Sequence, residues 1–388
     1  MIRVLNILPW GFVFGGVETT VMNYYRNIDH SKIQFDFLIP NDEKKTDHPY
    51  ETEAISLGAR IFRFQKGKIN KRPVKYIEYI MHMLKCKKIL QNNPDIKIVH
   101  IHDDFAERVA VDLLTAKLAG IPVRIVYSAS TSTKRRLLHM MFRPFVRAAA
   151  THHMAGSIEA GTHMFGKKEK DKIIIIPRAR DLEAFRYNPE RRHIVRNNLN
   201  LEENYVIVCV ANIRPEKNHT FLLDSFALAL REDNNMILLL VGEGEREKLE
   251  VKVQDLEICD KVHFLGQRND VPDILQAADL FVLPSLYEGQ PGTAVEAQAA
   301  GLPCLLSDRI SPGAKITDLA LFLPIDKGSE VWAKKIKAYK NFDRRDTFDK
   351  MRAAGYDIRD ASKWLEDFYL NAIEGPQPSY NTSKHKKG

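Results

Sequence analysis

The chain has 388 residues, 44% of them hydrophobic and 28% charged, a composition that fits a globular protein long enough for two domains. No apolar run approaches the ~20 residues that span a bilayer, and the four cysteines, Cys86, Cys209, Cys259 and Cys304, have no metal-ligand spacing and read as reduced, buried thiols of a cytoplasmic protein. The net charge of +8 is shared unevenly, with +13 in residues 1–180 and −5 in the remainder; the basic half either meets an anionic partner or simply presents a soluble basic surface.

In chain order, apolar runs predict strands at 3–8, 35–40, 59–64, 97–102, 123–128, 151–156 and 172–177. The opening run is too short for a signal peptide and reads as the first of them. Helical periodicity lies between most strands, as at 17–27, 73–92 and 107–119, which is the alternation of a parallel sheet covered on both faces. Residues 178–201 are polar and read as irregular, the natural place for a domain boundary. The pattern then restarts, with strands at 205–213, 236–242, 262–266, 280–284, 303–307 and 319–324 and a helix at 220–231. A last helix at 358–373 carries Trp364, Leu365, Phe368 and Tyr369 on one face and must dock somewhere. The tail from Gly375 is polar and reads as disordered. The expected division is 1–187, 188–355, a crossing helix at 356–374 and the tail at 375–388.

Three loops carry candidate chemistry. The first strand runs into Gly15-Gly16-Val17-Glu18 and a helix, where glycines let a ligand approach the backbone and a helix start suits a phosphate; a bare strand-to-helix turn explains the same residues. The strand ending at Ile213 runs into Arg214-Pro215-Glu216-Lys217-Asn218-His219, two cations above a helix start, which suit an anion or form a solvated basic loop. The strongest signal is Glu288-Gly289-Gln290-Pro291-Gly292-Thr293-Ala294-Val295-Glu296. It sets two carboxylates eight residues apart, one in the loop and one expected in the first helical turn. Carboxylates suit sugar hydroxyls and helix-start N–H groups suit phosphates, so a nucleotide sugar fits. Dipole stabilisation by Glu296 and a solvent-facing Glu288 are the plain readings.

Taken with Val241-Gly242-Glu243-Gly244 and Phe264-Leu265-Gly266, these loops resemble the retaining glycosyltransferases of family 4, and in particular bacterial enzymes that build capsular or exopolysaccharide repeat units. The resemblance runs from about residue 2 to 373. It implies the α/β GT-B architecture, two Rossmann-like doubly wound parallel-sheet domains facing a cleft, with the C-terminal helix packing back on the first domain. It implies transfer from a nucleotide-diphosphate sugar, a UDP-sugar, to a glycan or lipid-linked saccharide acceptor, with no cofactor and no metal. Carried over by position, Glu288 contacts the donor sugar, His102 hydrogen-bonds near it, and Lys217 meets the diphosphate, where the Arg214 guanidinium can also grip phosphate oxygens. Gly15, Gly16, Asn212, Leu265, Gly292, Thr293, Ala294 and Glu296 line the donor, Glu296 at the ribose and Leu265 near the base.

The chain departs from the family pattern at several places. Asn212 stands where an arginine is usual, Asp103 where an asparagine follows the histidine, Tyr127-Ser128-Ala129 where His-Ser-His is usual, and Pro177-Arg178-Ala179-Arg180-Asp181 in place of Pro-Asn-Gly-Ile-Asp. The cationic role usual at 212 is expected to move to Arg214. A nucleotide-sugar-binding protein without turnover and an epimerase of the same fold are the alternatives. For the basic half, the candidate partners are an anionic membrane surface and a pyrophosphate-linked lipid, with nucleic acid set aside because no aromatic stacking motif interleaves the charges. The run from Lys134 to Arg143 mixes basic and apolar residues at helical spacing, as in an interfacial helix or an ordinary packed one. The protein is thus placed in the cytoplasm, peripheral to the inner face of the plasma membrane.

Overall fold

All thirteen predicted strands form, and among the described residues they fall into two all-parallel sheets. The computed structural model describes residues 1–13, 15–41, 48–65, 72–131, 133 and 135–375; Phe14, Lys134 and the tail 376–388 lie outside them. The chain divides into two units, one of Met1–Ala179 with the chain from Ile358, the other of Arg180–Asp357.

The first unit holds β1 (Ile2–Ile7), β2 (Ile33–Asn41), β3 (Ile61–Gln65), β4 (Ile96–His102), β5 (Val123–Ser128), β6 (His152–Ala155) and β7 (Ile173–Ile175), in the order β3-β2-β1-β4-β5-β6-β7. Strand side chains alternate between faces. Val4, Phe35, Phe37, Ile98 and Ile125 therefore build one buried cluster, and Leu5, Leu38, Val99, Ile101 and Val126 another. The helix Ile358–Glu374 belongs to the first cluster through Ile358, Ala361, Leu365 and Tyr369, spaced to lie on one face. Its Tyr369 hydroxyl meets His100 Nδ1 at 2.8 Å, and Glu366 takes Lys32 Nζ at 3.1 Å. Burying side chains of this size contributes ~1.5–3 kcal/mol each, which fixes the helix to this unit.

The second unit holds β8 (Tyr205–Val210), β9 (Met236–Val241), β10 (Val262–Gly266), β11 (Leu280–Leu283), β12 (Cys304–Ser307) and β13 (Ala320–Leu323), in the order β10-β9-β8-β11-β12-β13 around one continuous core. The stretch read as irregular is in fact two helices, Leu182–Phe185 and Pro189–Asn198, capped by the side chains of Asp181 and Asn188. Its polarity has a packing reason: Arg191 pairs with Asp273 at 2.5 Å, and Arg192 and Arg196 both pair with Asp279. Asn188-Pro189 was a readable start signal, since proline suits the first helical position after an asparagine cap.

Burial holds several histidines neutral. His102 is pulled down to about 3 and His219 to about 4, both by desolvation, and His100 lies well below its ordinary value for the same reason. The unfolded chain binds protons on these groups below about pH 6.5 while the folded chain does not, so stability falls as pH falls from there. Urea unfolding followed between pH 7 and pH 4 should lose up to about 1.4 kcal/mol per pH unit for each such histidine. His102→Gln should flatten the slope, and an unchanged slope would contradict the burial.

Candidate functional site

In the second sheet the chain leaves β8 towards β9 and leaves β11 towards β12. The carboxyl ends of β8 and β11 therefore form a switch point, the place where open parallel sheets take ligands. Beyond β8 the backbone stays paired to the chain after β9, Ala211 N–H donating to Val241 O at 2.8 Å and Ile213 N–H to Glu243 O at 2.7 Å. This pairing explains Gly242 and Gly244, where a Cβ would collide with the carbonyl oxygens of Ala211 and Ile213. Asn212 accepts from Glu243 N–H at 3.4 Å. Leu265 is half-buried at the end of β10, next to Gly266, whose carbonyl accepts from Gly242 N–H at 2.8 Å.

After Arg214 the chain makes one tight turn, Pro215–Lys217, and Asn218 takes the left-handed conformation (φ 58°) that starts the helix His219–Leu230. The turn aims Lys217 across the switch point, where its Nζ lies 2.6 Å from Glu288 Oε1. Ser285 Oγ donates to the other carboxylate oxygen at 3.1 Å, and Leu286 N–H donates to Glu216 O at 2.8 Å, so the loops after β8 and β11 are bound together. Lys217 and Glu288 side chains are each 19% exposed, a contact that is neither buried nor freely solvated. Arg214, on the same turn, is exposed and has no carboxylate partner among the described residues.

The helix Gly292–Ala299 begins earlier than expected, because Pro291 ends the loop and Gly292 is its first residue. Glu296 is thus its fifth residue, in the second turn, where dipole stabilisation has largely faded. Its partner is Arg180, whose Nε lies 2.5 Å from Glu296 Oε1, with side chains 6% and 13% exposed. The same guanidinium covers Gly292, where a Cβ would collide with it. Of the three backbone donors expected, Ala294 N–H is already taken by Pro291 O at 3.2 Å; Gly292 and Thr293 come before it at the helix start. Arg180 was missed in the sequence, and its only signal was the altered turn at 177–181.

The remaining expected residues lie in the first unit. Gly15 caps the helix Gly16–Asn27 without a side chain, and the Glu18 carboxylate folds over it. A Cβ on Gly16 would lie 2.6 Å from Arg178 Nη1. His102 is buried, bonded through Nε2 to Asn6 Oδ1 at 3.0 Å and stacked on His100 with ring centroids 4.2 Å apart. Its Nδ1 is buried with no hydrogen-bond partner among the described residues. Among the described residues no three His, Cys, Asp or Glu side chains are grouped to hold a metal ion, and no helix is long and apolar enough to cross a membrane.

Comparison with known proteins gives the family and the fold. The family described as glycosyl transferases group 1 matches residues 190–348. The chain is 35% identical over 350 residues to the putative glycosyltransferase EpsF of Bacillus subtilis, covering 86% of each. It is 30% identical over 252 residues to an Escherichia coli UDP-Gal:alpha-D-GlcNAc-diphosphoundecaprenol alpha-1,3-galactosyltransferase, covering 61% of this chain and 64% of that protein. The crystal structure of Anabaena HepE in complex with UDP superposes with a TM-score of 0.76 at 15% identity, covering 96% of this chain and all of that one, which shows the shared GT-B fold.

The Arg180–Glu296 pair is shielded enough for its loss to be felt. Glu296→Ala and Arg180→Met should each lower stability by about 1–3 kcal/mol in chemical denaturation. The double change Arg180→Met with Glu296→Leu should recover part of that loss, because apolar replacement removes both desolvation penalties. Strictly additive losses would show that the two side chains do not interact.

Proposed function

We propose a specific reaction for this chain, which belongs to the glycosyl transferases of group 1. It moves a sugar, with retention, from a nucleotide-diphosphate sugar to a lipid-linked saccharide in cell-surface polysaccharide synthesis. The observation that carries the reading is the Lys217–Glu288 contact at the switch point of the second sheet. A lysine held there without full burial is poised to leave its carboxylate for a phosphate, while the freed carboxylate takes a sugar hydroxyl. The names of relatives support the substrate class: the Escherichia coli enzyme is named for UDP-Gal and a diphosphoundecaprenol-linked sugar, and Anabaena HepE has been crystallised with UDP-glucose.

In this reading the diphosphate lies over the start of the helix Gly292–Ala299, with Gly292 and Thr293 N–H groups towards it and the Glu296 carboxylate towards the ribose hydroxyls. Leu265 flanks the base. As the bond from the anomeric carbon to the donor phosphate oxygen breaks, the electron pair stays on that oxygen. Lys217 and Arg214 meet the growing charge, in positions fixed before reaction. The acceptor hydroxyl oxygen bonds to the anomeric carbon on the same face, and its proton passes to a donor phosphate oxygen. Arg214, exposed and on the same turn as Lys217, takes the cationic role that Asn212 cannot.

The acceptor's lipid brings the protein to a membrane surface. The helix Arg136–Ala149 buries only His139 and Val146, and presents Leu137, Met141 and Phe145 outward at successive helical turns. Leu137 is 75% exposed. Arg136, Arg143 and Arg147 lie to one side of this face, where Arg143 and Arg147 share a cavity with Lys167 and Lys168 of the turn Lys167–Lys172. Apolar anchors beside a cationic edge complement an anionic bilayer surface.

Release of free nucleotide from a panel of nucleotide sugars, with diphosphoundecaprenol-linked saccharides as acceptors, tests the reaction. Turnover should survive chelation by EDTA. Lys217→Met should lose ~10²-fold or more in turnover, with a smaller change in donor affinity. Arg214→Ala should also lose turnover, and Asn212→Arg should restore it. Lys217→Met at wild-type rate would remove the proposal's central residue. For the membrane surface, co-sedimentation should show stronger binding to vesicles rich in anionic lipid than to neutral ones, and the triple change Leu137→Ser, Met141→Ser and Phe145→Ser should abolish it. Equal binding to both vesicle types would exclude the charge-guided contact.

A further inference from the structure

The first sheet has a switch point of its own, at the carboxyl ends of β1 and β4, where the chain leaves β1 towards β2 and β4 towards β5. The loops leaving these strands build a cluster that none of the expected site residues explains. Trp10, after β1, is 47% exposed, an unusual state for so large an aromatic beside a sheet end. It packs edge-on against Phe105 from the loop after β4, with ring centroids 6.5 Å apart. The Arg108 guanidinium lies 4.9 Å from the Trp10 ring centroid and 4.5 Å from that of Phe105, and Arg135 lies 5.8 Å from Phe105. Arg108 is held by two bonds to buried Asp103, at 2.7 and 2.6 Å. Arg135 donates to Glu107 Oε1 at 3.1 Å, and the second Glu107 oxygen is buried with no hydrogen-bond partner among the described residues.

We propose that this cluster is a binding site for a neutral pyranose, the sugar end of the acceptor saccharide, laid against the Trp10 indole. The proposal rests on the acceptor class given above and adds the residues that read it. Three observations favour a neutral sugar over an anion. The two arginines are balanced by Asp103 and Glu107, so among the described residues the cluster has no surplus cation to offer a phosphate. An exposed aromatic face suits the apolar C–H face of a sugar ring, and the surrounding guanidinium and carboxylate groups suit its hydroxyls. The Glu107 carboxylate is an acceptor with no donor of its own, which disfavours an anion beside Arg135 and suits a hydroxyl. Arg108, clamped by Asp103 and stacked on two rings, is fixed in place before any ligand arrives, so little rotamer freedom is lost on binding.

The proposal is tested on the full chain by saturation-transfer NMR and calorimetry, with methyl glycosides of glucose, galactose, N-acetylglucosamine and N-acetylgalactosamine as probes and inorganic phosphate as the anionic control. At least one glycoside should bind saturably. Trp10→Ala should weaken that binding tenfold or more, and Trp10→Phe should retain part of it. Glu107→Gln should weaken it less than Trp10→Ala, since an amide oxygen still accepts a hydroxyl proton. Binding of UDP, GDP or ADP, measured on the same samples, should be unchanged by Trp10→Ala, which also reports that the variant is folded. No binding of any glycoside, equal binding by Trp10→Ala, or a response to phosphate in place of the glycosides would overturn the proposal. A wild-type chain that binds glycosides through Trp10 but binds no nucleotide would instead overturn the donor reading and leave this site standing.

Discussion

Two ion pairs hold the Glu-x7-Glu element, and each joins residues far apart in the chain. Lys217 reaches Glu288 across 71 positions and Arg180 reaches Glu296 across 116. Without them the element would be a loop with one carboxylate in partial burial and another inside a helix against a close-packed core, a costly arrangement for groups that prefer water. The cations make the carboxylates tolerable and fix where they point. The two pairs differ in shielding, however. Lys217 and Glu288 remain accessible and can exchange partners, whereas Arg180 and Glu296 are nearly enclosed and set the shape of the helix start. One pair is suited to change during a reaction and the other to stay.

The glycines around these pairs follow from the same packing. Gly242 and Gly244 let the chains beyond β8 and β9 run side by side past the end of the sheet, which is what delivers Asn212, Arg214 and Lys217 to the switch point. Gly292 leaves space for the Arg180 guanidinium. The small residues that look like a ligand-binding signature in the sequence are thus, in part, room for protein atoms. A side chain at any of these positions would displace backbone or an arginine before it met a ligand.

Much of this was legible from local pattern. Strands and helices followed apolar periodicity, because in a parallel sheet both faces are buried and every strand reads as a continuous run such as Tyr205–Val210 or Met236–Val241. Lys217 and Glu288 could be picked out because each sits at a strand-to-helix loop with turn residues around it. What failed did so for two reasons. Residues 178–201 look irregular because the helix Leu182–Phe185 is a single turn and the helix Pro189–Asn198 turns arginines, not leucines, towards the neighbouring surface, so hydrophobic period carries no signal. The Arg180–Glu296 pair and the contacts of Trp10 with Phe105 and Arg108 are products of long-range contact, and no window of sequence brings those partners together. His102 was legible by its position in the family pattern, while its packing against His100 and Asn6 is a property of three dimensions.

The charge distribution also resolves differently in space than along the chain. A surplus of +13 in residues 1–180 suggests a basic binding site in the first half, yet the switch point of that half is electrically balanced, Arg108 against Asp103 and Arg135 against Glu107. Part of the surplus lies on the helix Arg136–Ala149 and on the lysines from 167 to 172. In the second half the net charge is negative, while at its switch point Arg214 and Lys217 stand against Glu216 and Glu288. Each switch point is therefore closer to local balance than its half of the sequence suggests. Local balance, rather than the sum over a domain, decides what a site attracts, since charges separated by more than about 10 Å are largely screened at physiological salt. On the proposed reading, the aromatic cluster of the first sheet serves hydroxyls and the movable Lys217 of the second serves phosphate, so that what separates them is which groups are free to change partners rather than net charge.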